Sequence, residues 1–291
     1  MNWKAYKRPE GVAEALTLLE KAAGRGRVIA GGTDLILQLR QRERAADLLV
    51  DITGIDTMKG IGEADGWITI GAAVTHAEAA DSSLLRRVAR ALAEGCGQVG
   101  APQIRNTATL MGNVISAQPA ADGAVPLAAL EAEIRVVSTA GERWVPMDEA
   151  YLDVGRSAID ASREVATEIR FRKPADGEKT RFFRLSKRKA LSLPVLNGAV
   201  SILPDPSAQR IRRARIALGP VAARPFRARR AEACLETAAI SPELIDEAAR
   251  IAAEEANPRT SLLRGGAPYR KAMVELFLTR TIRAMLAMER G

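Results

Sequence analysis

The sequence predicts a mixed α/β unit over residues 1–173, followed by a small α+β unit over residues 174–291. Three observations carry this. The length, 291 residues, exceeds one minimal core and suits two modest domains. Short apolar runs alternate with amphipathic stretches in the first part, as strands alternate with helices in α/β architecture. After Lys173 the segment KPADGEKTR has turn composition, and beyond it strand-like runs come first and helical patterns second.

The elements follow in order. Residues 10–23 read as an amphipathic helix with Val12, Ala15, Leu16 and Leu19 on one face and Gly24 as its stop. Residues 27–30 form an apolar run that ends on Gly31 and Gly32, a strand entering a tight turn. A helix is predicted over 34–41, strands over 48–52 and 67–70, and a helix over 84–94 that ends at Gly95. From Gly95 to Asp122 the periodicity stops, and Gly, Ala, Asn, Thr and Pro dominate; an irregular segment of that length in a compact domain is often functional. A helix over 125–131 and a strand over 134–137 follow. The second unit then reads as a three-stranded sheet (181–185, 195–203, 211–218) with helices over 229–236, 242–255 and 269–288.

Composition narrows the function classes. With 47% hydrophobic and 27% charged residues the chain reads as an ordinary globular protein. No apolar run reaches membrane-span length, and MNWKAYKRPEG lacks an apolar signal core, so a cytoplasmic protein is expected. Cys96 and Cys234 are the two cysteines and form no cluster, so this chain alone supplies neither a disulfide framework nor an iron–sulfur or zinc site. The net charge is +8, much of it in Arg210, Arg212, Arg213, Arg215, Arg224, Arg227, Arg229 and Arg230. Only Phe226 interleaves with these arginines, so no stacking platform for nucleic-acid bases is suggested. A docking face for acidic partners or a solvated surface both fit.

Two motifs carry chemistry. In VIAGGTDL (Val28, Ile29, Ala30, Gly31, Gly32, Thr33, Asp34, Leu35) a buried strand delivers two glycines and then a helix start. Glycines let a ligand approach the backbone closely, and successive N–H groups there can cradle an anion. The plainer reading is a strand–turn–helix junction with Asp34 as N-cap. The segment is not GxGxxG, and no Rossmann fingerprint occurs. In TLMGNV (Thr109, Leu110, Met111, Gly112, Asn113, Val114) short donors again surround a glycine, and Asp122 beyond it could accept from sugar hydroxyls. Its plainer reading is a loop with Asn and Gly at turn positions.

Together AGGTDL, QIRNTATLMGN, PAAD, SKRKALSLPV and RIALGPVAARPFRARRAE, in this order, resemble the FAD-binding medium subunit of the molybdenum hydroxylase family, of xanthine dehydrogenase and carbon monoxide dehydrogenase type. The resemblance runs from YKRPEGVAEAL to the last helix. It implies a two-part, PCMH-like FAD-binding domain followed by a C-terminal domain of the carbon monoxide dehydrogenase flavoprotein type. Carried over, Ala30 to Asp34 and Thr109 to Asn113 would wrap the FAD diphosphate, and Asp122 would bind the sugar portion. Gly100 and Ala101 would line the cavity, and Ile159 would sit near the adenine. Arg184 would take the place of a cofactor-contacting lysine, and Leu193 would lie against the isoalloxazine ring. FAD would be non-covalent. The molybdenum cofactor and [2Fe-2S] clusters would sit on partners only, an iron–sulfur (small) subunit and a molybdenum (large) subunit, in a dimer of heterotrimers. Electrons would pass from the clusters through FAD to a terminal acceptor.

The chain departs from the family pattern where Met111 replaces a glycine and where Ser192 stands in place of an aspartate. It also has no cysteine between Asp56 and Trp67, so the extra cluster found there in some relatives is not expected. Among other residues, His76 reads as a hydrogen-bonded structural histidine and Cys96 as a packing residue. Asp153 and Asp205 read as turn residues, and Trp3, Trp67 and Trp144 as core or interface. A non-redox nucleotide- or anion-binding module and a self-standing flavoenzyme are the rival readings.

Overall fold

The computed structural model describes residues 3–205, 207–261 and 264–287. The chain opens with a small parallel sheet of β1 (Ala5–Lys7), β2 (Gly26–Ile29) and β3 (Leu48–Asp51), in the order β1-β3-β2. The crossovers contain α1 (Val12–Lys21) and α2 (Leu35–Arg40). α1 buries Ala15, Leu16 and Leu19, one stripe of a 3.6-residue period, and Gly24 at φ +82° turns the chain back after it.

The rest of the first unit is not parallel. Strands β4 (Ile61–Ala64), β5 (Trp67–Gly71), β6 (Glu133–Ser138) and β7 (Gly141–Pro146), a small hairpin of β8 (Tyr151–Asp153) and β9 (Arg156–Ser157), and β10 (Val165–Arg172) follow. Apart from the hairpin they form an antiparallel sheet, β4-β5-β10-β6-β7. β10 is central and alternates: Ile169 and Phe171 are fully buried, while Arg170 and Arg172 face outward. Burying a side chain such as Phe171 contributes roughly 1.5–3 kcal/mol. On the outer face the Arg170 guanidinium lies 4.3 Å from the Trp67 ring centre and 3.5 Å from that of Trp144. These two tryptophans are therefore half-buried clamps on an open sheet face and not core residues.

Between β5 and β6 run α3 (His76–Asp81), α4 (Ser83–Val88), α5 (Arg90–Gly97), α6 (Pro102–Arg105), α7 (Leu110–Ile115) and α8 (Ala124–Ala129). The helix expected over 84–94 is thus two helices that break at Ala89. The Ala91 N–H, which would continue the first, donates instead to Thr180 Oγ1 of the second unit at 3.0 Å. The segment expected to be irregular, 95–122, contains the short helices α6 and α7. Pro102 starts one, and the Thr109 side chain caps the other.

The second unit matches its expected layout. Strands β11 (Lys179–Ser186), β12 (Pro194–Asp205) and β13 (Arg210–Gly219) form the sheet, and the two-residue β14 (Phe226–Arg227) adds a short edge. Helices α9 (Arg229–Thr237), α10 (Pro242–Glu255) and α11 (Ala267–Ala287) cover one face. The expected helix end at Met288 lies outside the described residues. β12 is buried along most of its length. Leu196, Val200 and Ile202 join the core of the second unit, whereas Ala199 and its β13 partner Ala217 pack into the core of the first. Among the described residues, no helix is long and apolar enough to cross a membrane.

Candidate functional site

The two glycine-bearing segments, 74 positions apart at their nearest (Leu35 to Thr109), meet directly. β2 delivers the chain to Gly31, where an added Cβ would lie 2.1 Å from the Thr107 carbonyl oxygen and 2.8 Å from Ala108 Cα. Only glycine permits so close an approach of two backbones. Gly32 follows at φ +67°, in the left-handed region that side chains disfavour. Asp34 does not cap α2 with its side chain. Its Oδ2 accepts a 2.6 Å hydrogen bond from Ser116 Oγ, which ties the first segment to the end of α7. Among the described residues, the N–H groups of Gly31, Gly32, Thr33 and Asp34 donate to no other group of the chain.

The second segment is held more rigidly. The His76 N–H donates to the Ala108 carbonyl at 2.9 Å, and the Leu110 N–H donates to the Val74 carbonyl at 3.0 Å. Thr109 Oγ1 accepts from the Gly112 N–H at 3.0 Å. Asn113 Oδ1 accepts from the Gly123 N–H at 3.2 Å, so the asparagine braces the start of α8. The Gly112 N–H is therefore already engaged, and the first segment supplies most of the free donors.

The segments enclose a cavity of about 340 Å³. Val28, Ile29, Ala30, Gly31, Gly32, Thr33, Asp34 and Leu35 line it from one side, and Thr109, Gly112 and Asn113 from the other. Arg27, Gln38, Arg44, His76 and Ser116, which the motif reading does not single out as ligand-binding, also line it. Only spacing to the motifs could have pointed to Gln38 and Ser116. A smaller recess of about 80 Å³ shares Val28, Ala30, Thr109 and Gly112 with it and adds Met111 and Ile159. Unsatisfied N–H groups, a glycine cradle and nearby arginines suit a diphosphate, and the apolar recess suits a flat ring beside it.

Other expected site residues lie elsewhere. Leu110 directs its side chain into the core at 0% exposure and lines neither recess, while Met111, 3% exposed, packs in the core and borders only the smaller one. Gly100, at φ +51°, and Ala101 precede α6 next to the cavity-lining Val99. Asp122 and Arg184 are brought together with each other: Arg184 Nε donates to Asp122 Oδ2 at 3.1 Å, and Asn197 Nδ2 donates to Asp122 Oδ1 at 2.7 Å. Arg184 also donates to the Ser192 carbonyl, which fixes the loop that carries Leu193, whose own side chain is largely exposed. Burial raises the Asp122 carboxyl to about 6 against the opposing pull of Arg184 and Asn197.

His76 departs from its expected role. It is fully buried, but neither ring nitrogen has a hydrogen-bond partner among the described residues. Burial, and then the charge of Arg105, lower its pKa to about 4, so the ring is neutral at pH 7. Cys96 is a packing residue, as expected, and burial pushes its thiol up. Much of the arginine-rich run is paired internally: Arg213 with Glu178, Arg215 with Glu131 and Glu236, and Arg227 with Glu131 and Glu232. Those arginines close the second unit onto itself and onto α8 and are not a free cationic face.

Residues 2–173 match the family described as the FAD binding domain in molybdopterin dehydrogenase, and residues 181–285 match the CO dehydrogenase flavoprotein C-terminal domain. The chain is 32% identical to the nicotinate dehydrogenase FAD-subunit of Eubacterium barkeri over 61% of each chain. It is 29% identical to the carbon monoxide dehydrogenase medium chain of Hydrogenophaga pseudoflava, over 97% of this chain and 96% of that one. A solved carbon monoxide dehydrogenase from Hydrogenophaga pseudoflava, lacking the Mo-pyranopterin moiety of its molybdenum cofactor, superposes with a TM-score of 0.91 at 28% identity, over 98% of both chains.

Proposed function

The chain belongs to the family of FAD-binding domains in molybdopterin dehydrogenases, and on that premise we propose that it is the electron-transferring FAD subunit of a molybdenum hydroxylase complex. The observation that carries the reading is the cavity between the two glycine-bearing segments, with the unpartnered N–H groups of Gly31 to Asp34 on its wall. Those groups hold the diphosphate, and Gly31 and Gly32 let it come close to the backbone. Arg27 and Arg44 balance its charge. Ile159 and Met111 bound the recess for the adenine.

Bound FAD supplies the exchange between single-electron and two-electron carriers. The chain orients the cofactor without a covalent link. Asp122, held by Arg184 and Asn197, would serve the sugar portion, and the same Arg184, by fixing the Ser192 carbonyl, would set the loop whose Leu193 would meet the flavin ring. An iron–sulfur subunit delivers the electrons, a molybdenum subunit oxidises the substrate, and the assembly is a dimer of heterotrimers in the cytoplasm. The division of the chain at residues 173 and 174 is part of this reading: the two hydrophobic cores separate there except for Ala199, Ala217 and the partly buried Phe182, which pack against the first.

The experiment is native purification with flavin and metal analysis, alongside the chain expressed alone. The reading predicts co-purification with two further polypeptides that carry iron and molybdenum. It also predicts that the isolated chain is reduced by a chemical reductant but by no purine, aldehyde, aromatic acid or N-heterocycle. Substrate-dependent bleaching by the chain alone would favour a self-standing flavoenzyme.

A further inference from the structure

Three segments far apart in sequence meet beside the cavity, residues 95–121, 179–204 and 256–274, and none of them contains an aspartate or a glutamate. They join at the loop 187–193. Its Leu191 N–H donates to the Gly100 carbonyl at 3.2 Å. Gly100 lies close against Ile104, 2.9 Å from a Cβ added there, and Ile104 lines the cavity. Two residues past Leu193, the Val195 carbonyl accepts from Arg270 Nε at 3.1 Å. Arg181 and Arg184 find carboxylates outside these segments, in Glu94 and Asp122. Lys187, Arg188 and Lys189 are exposed and, among the described residues, form no ion pair. Arg270 is 2% exposed, and its guanidinium donates to the backbone carbonyls of Val195, Arg259 and Pro220 with no carboxylate beside it among the described residues. Burial, and then the charge of nearby Arg264, lower its pKa. A buried cation without a counter-ion is costly, and this fold keeps one at the base of a loop that is itself cationic. Two leucines stand among these charges, Leu191 at 61% exposure and Leu193 at 67%. Leu191 adopts φ +49°, which leucine rarely does, and is held there as Arg188 donates to its carbonyl at 2.6 Å and Arg184 to that of Ser192.

We propose that the surface around the loop 187–193 docks an acidic, one-electron carrier protein of ferredoxin type, which takes electrons from the flavin. The proposal rests on the FAD reading above and names the class of terminal acceptor that it leaves open. A carboxylate-free cationic surface draws in an acidic partner and speeds the encounter. Leu191 supplies the apolar centre that such an interface needs, and the hydrogen bonds that hold the loop present it preformed. A dinucleotide acceptor would call for a concave site, whereas Leu191 and Leu193 line neither recess of the site and stand exposed among spread charges. Small, transient contacts are usual between redox proteins. Two encounters, each delivering one electron to one carrier molecule, return the bound flavin from its two-electron reduced state to the oxidised one, and its two protons pass to water.

The test uses the full chain, first assayed for bound flavin and then passed over an immobilised plant-type [2Fe-2S] ferredoxin as the probe, at low and at high salt. The proposal predicts binding at low salt that weakens steeply as salt screens the charges. Lys187→Glu combined with Lys189→Glu weakens it about tenfold. Leu191→Asn, which keeps a residue suited to left-handed backbone, weakens it about fivefold. Both variants retain their flavin. The same charge reversal at Lys7 and Lys21, outside the three segments, leaves binding nearly unchanged. No binding at low salt, or an equal loss in the Lys7 and Lys21 variant, overturns the proposal while leaving the FAD site standing. Binding of NAD that the loop variants abolish would assign the surface to a dinucleotide, and loss of the iron–sulfur subunit from the native complex of the same variants would assign it to that subunit; either result overturns the proposal. An unmutated chain without flavin overturns the functional reading itself, and this inference with it, before any carrier is added.

Discussion

The two glycine-bearing segments look alike in sequence but differ in what their glycines do. In the first, Gly31 lies where a side chain would meet the Thr107 carbonyl at 2.1 Å, and Gly32 adopts φ +67°. Both are required by backbone geometry, and the N–H groups around them stay free. In the second, Gly112 sits inside the short helix α7, its N–H is taken by Thr109, and an added Cβ would meet only Thr109 Oγ1, at 3.0 Å. The first segment is a ligand cradle. The second is a capped helix that props it, through Thr107 beneath Gly31 and Ser116 onto Asp34.

This contrast can be broken by substitution. The largest effect is expected from Gly31→Ala, because the atoms in the way are backbone and cannot rotate aside. Destabilisation of about 3 kcal/mol and loss of flavin should follow, read by urea unfolding and flavin absorbance. Gly32→Val places a branched side chain at positive φ and against Ile29 and Ile36. It should cost about 2 kcal/mol and lower flavin content in a chain that still folds. Thr109→Ala removes a helix cap and should cost about 1 kcal/mol with a modest fall in flavin affinity. Gly112→Ala should change stability by less than about 0.5 kcal/mol, the helix preference for alanine offsetting a small shift of Thr109. If Gly112→Ala proved as damaging as Gly31→Ala, the second segment would be a cradle too.

A finer contrast separates His76 from Asp122, both buried near α8. The folded pKa of His76, about 4, lies below its ordinary 6.5, so the unfolded chain binds the extra proton and the histidine's contribution falls as pH drops. From pH 7 to pH 5 that is about 2 kcal/mol, and His76→Gln should lose this dependence. Asp122 has the opposite sign. Its folded pKa, about 6, lies above the ordinary 3.8, so its contribution falls as pH rises from 5 to 7, by about 1 kcal/mol. Asp122→Asn should therefore steepen the net loss of stability on acidification, and His76→Gln should flatten it. Denaturant titrations at pH 5, 6 and 7 separate the two; parallel curves for both variants would remove the assignment.

How much of this the sequence shows depends on where the information resides. The second unit is legible because its elements are long: β11, β12, β13 and the helices α9 and α10 fall within a few residues of their predicted bounds. The five-stranded sheet is largely missed. β7 exposes Gly141, Glu142 and Arg143, so no apolar pattern marks it. β10 does alternate, in Ile169 and Phe171 against Arg170 and Arg172, but the strand reading stops at residue 137 and passes it over. In the site, the motif residues from Val28 to Asp34 and Thr109, Gly112 and Asn113 come together as expected. Leu110 does not, because a helix turn points it at the core, and Met111 borders only the smaller recess. Ser116 and His76 are invisible to motif reading: each matters through a partner dozens of residues away or through the lack of one.

The central claim is that the cradle holds FAD without a covalent bond. The direct measurement is to denature the purified protein in acid, remove the polypeptide and identify the flavin in the supernatant. The account predicts FAD, released in full and in proportion to the chain. Flavin retained on the polypeptide, FMN in place of FAD, or a native complex with no flavin would contradict it.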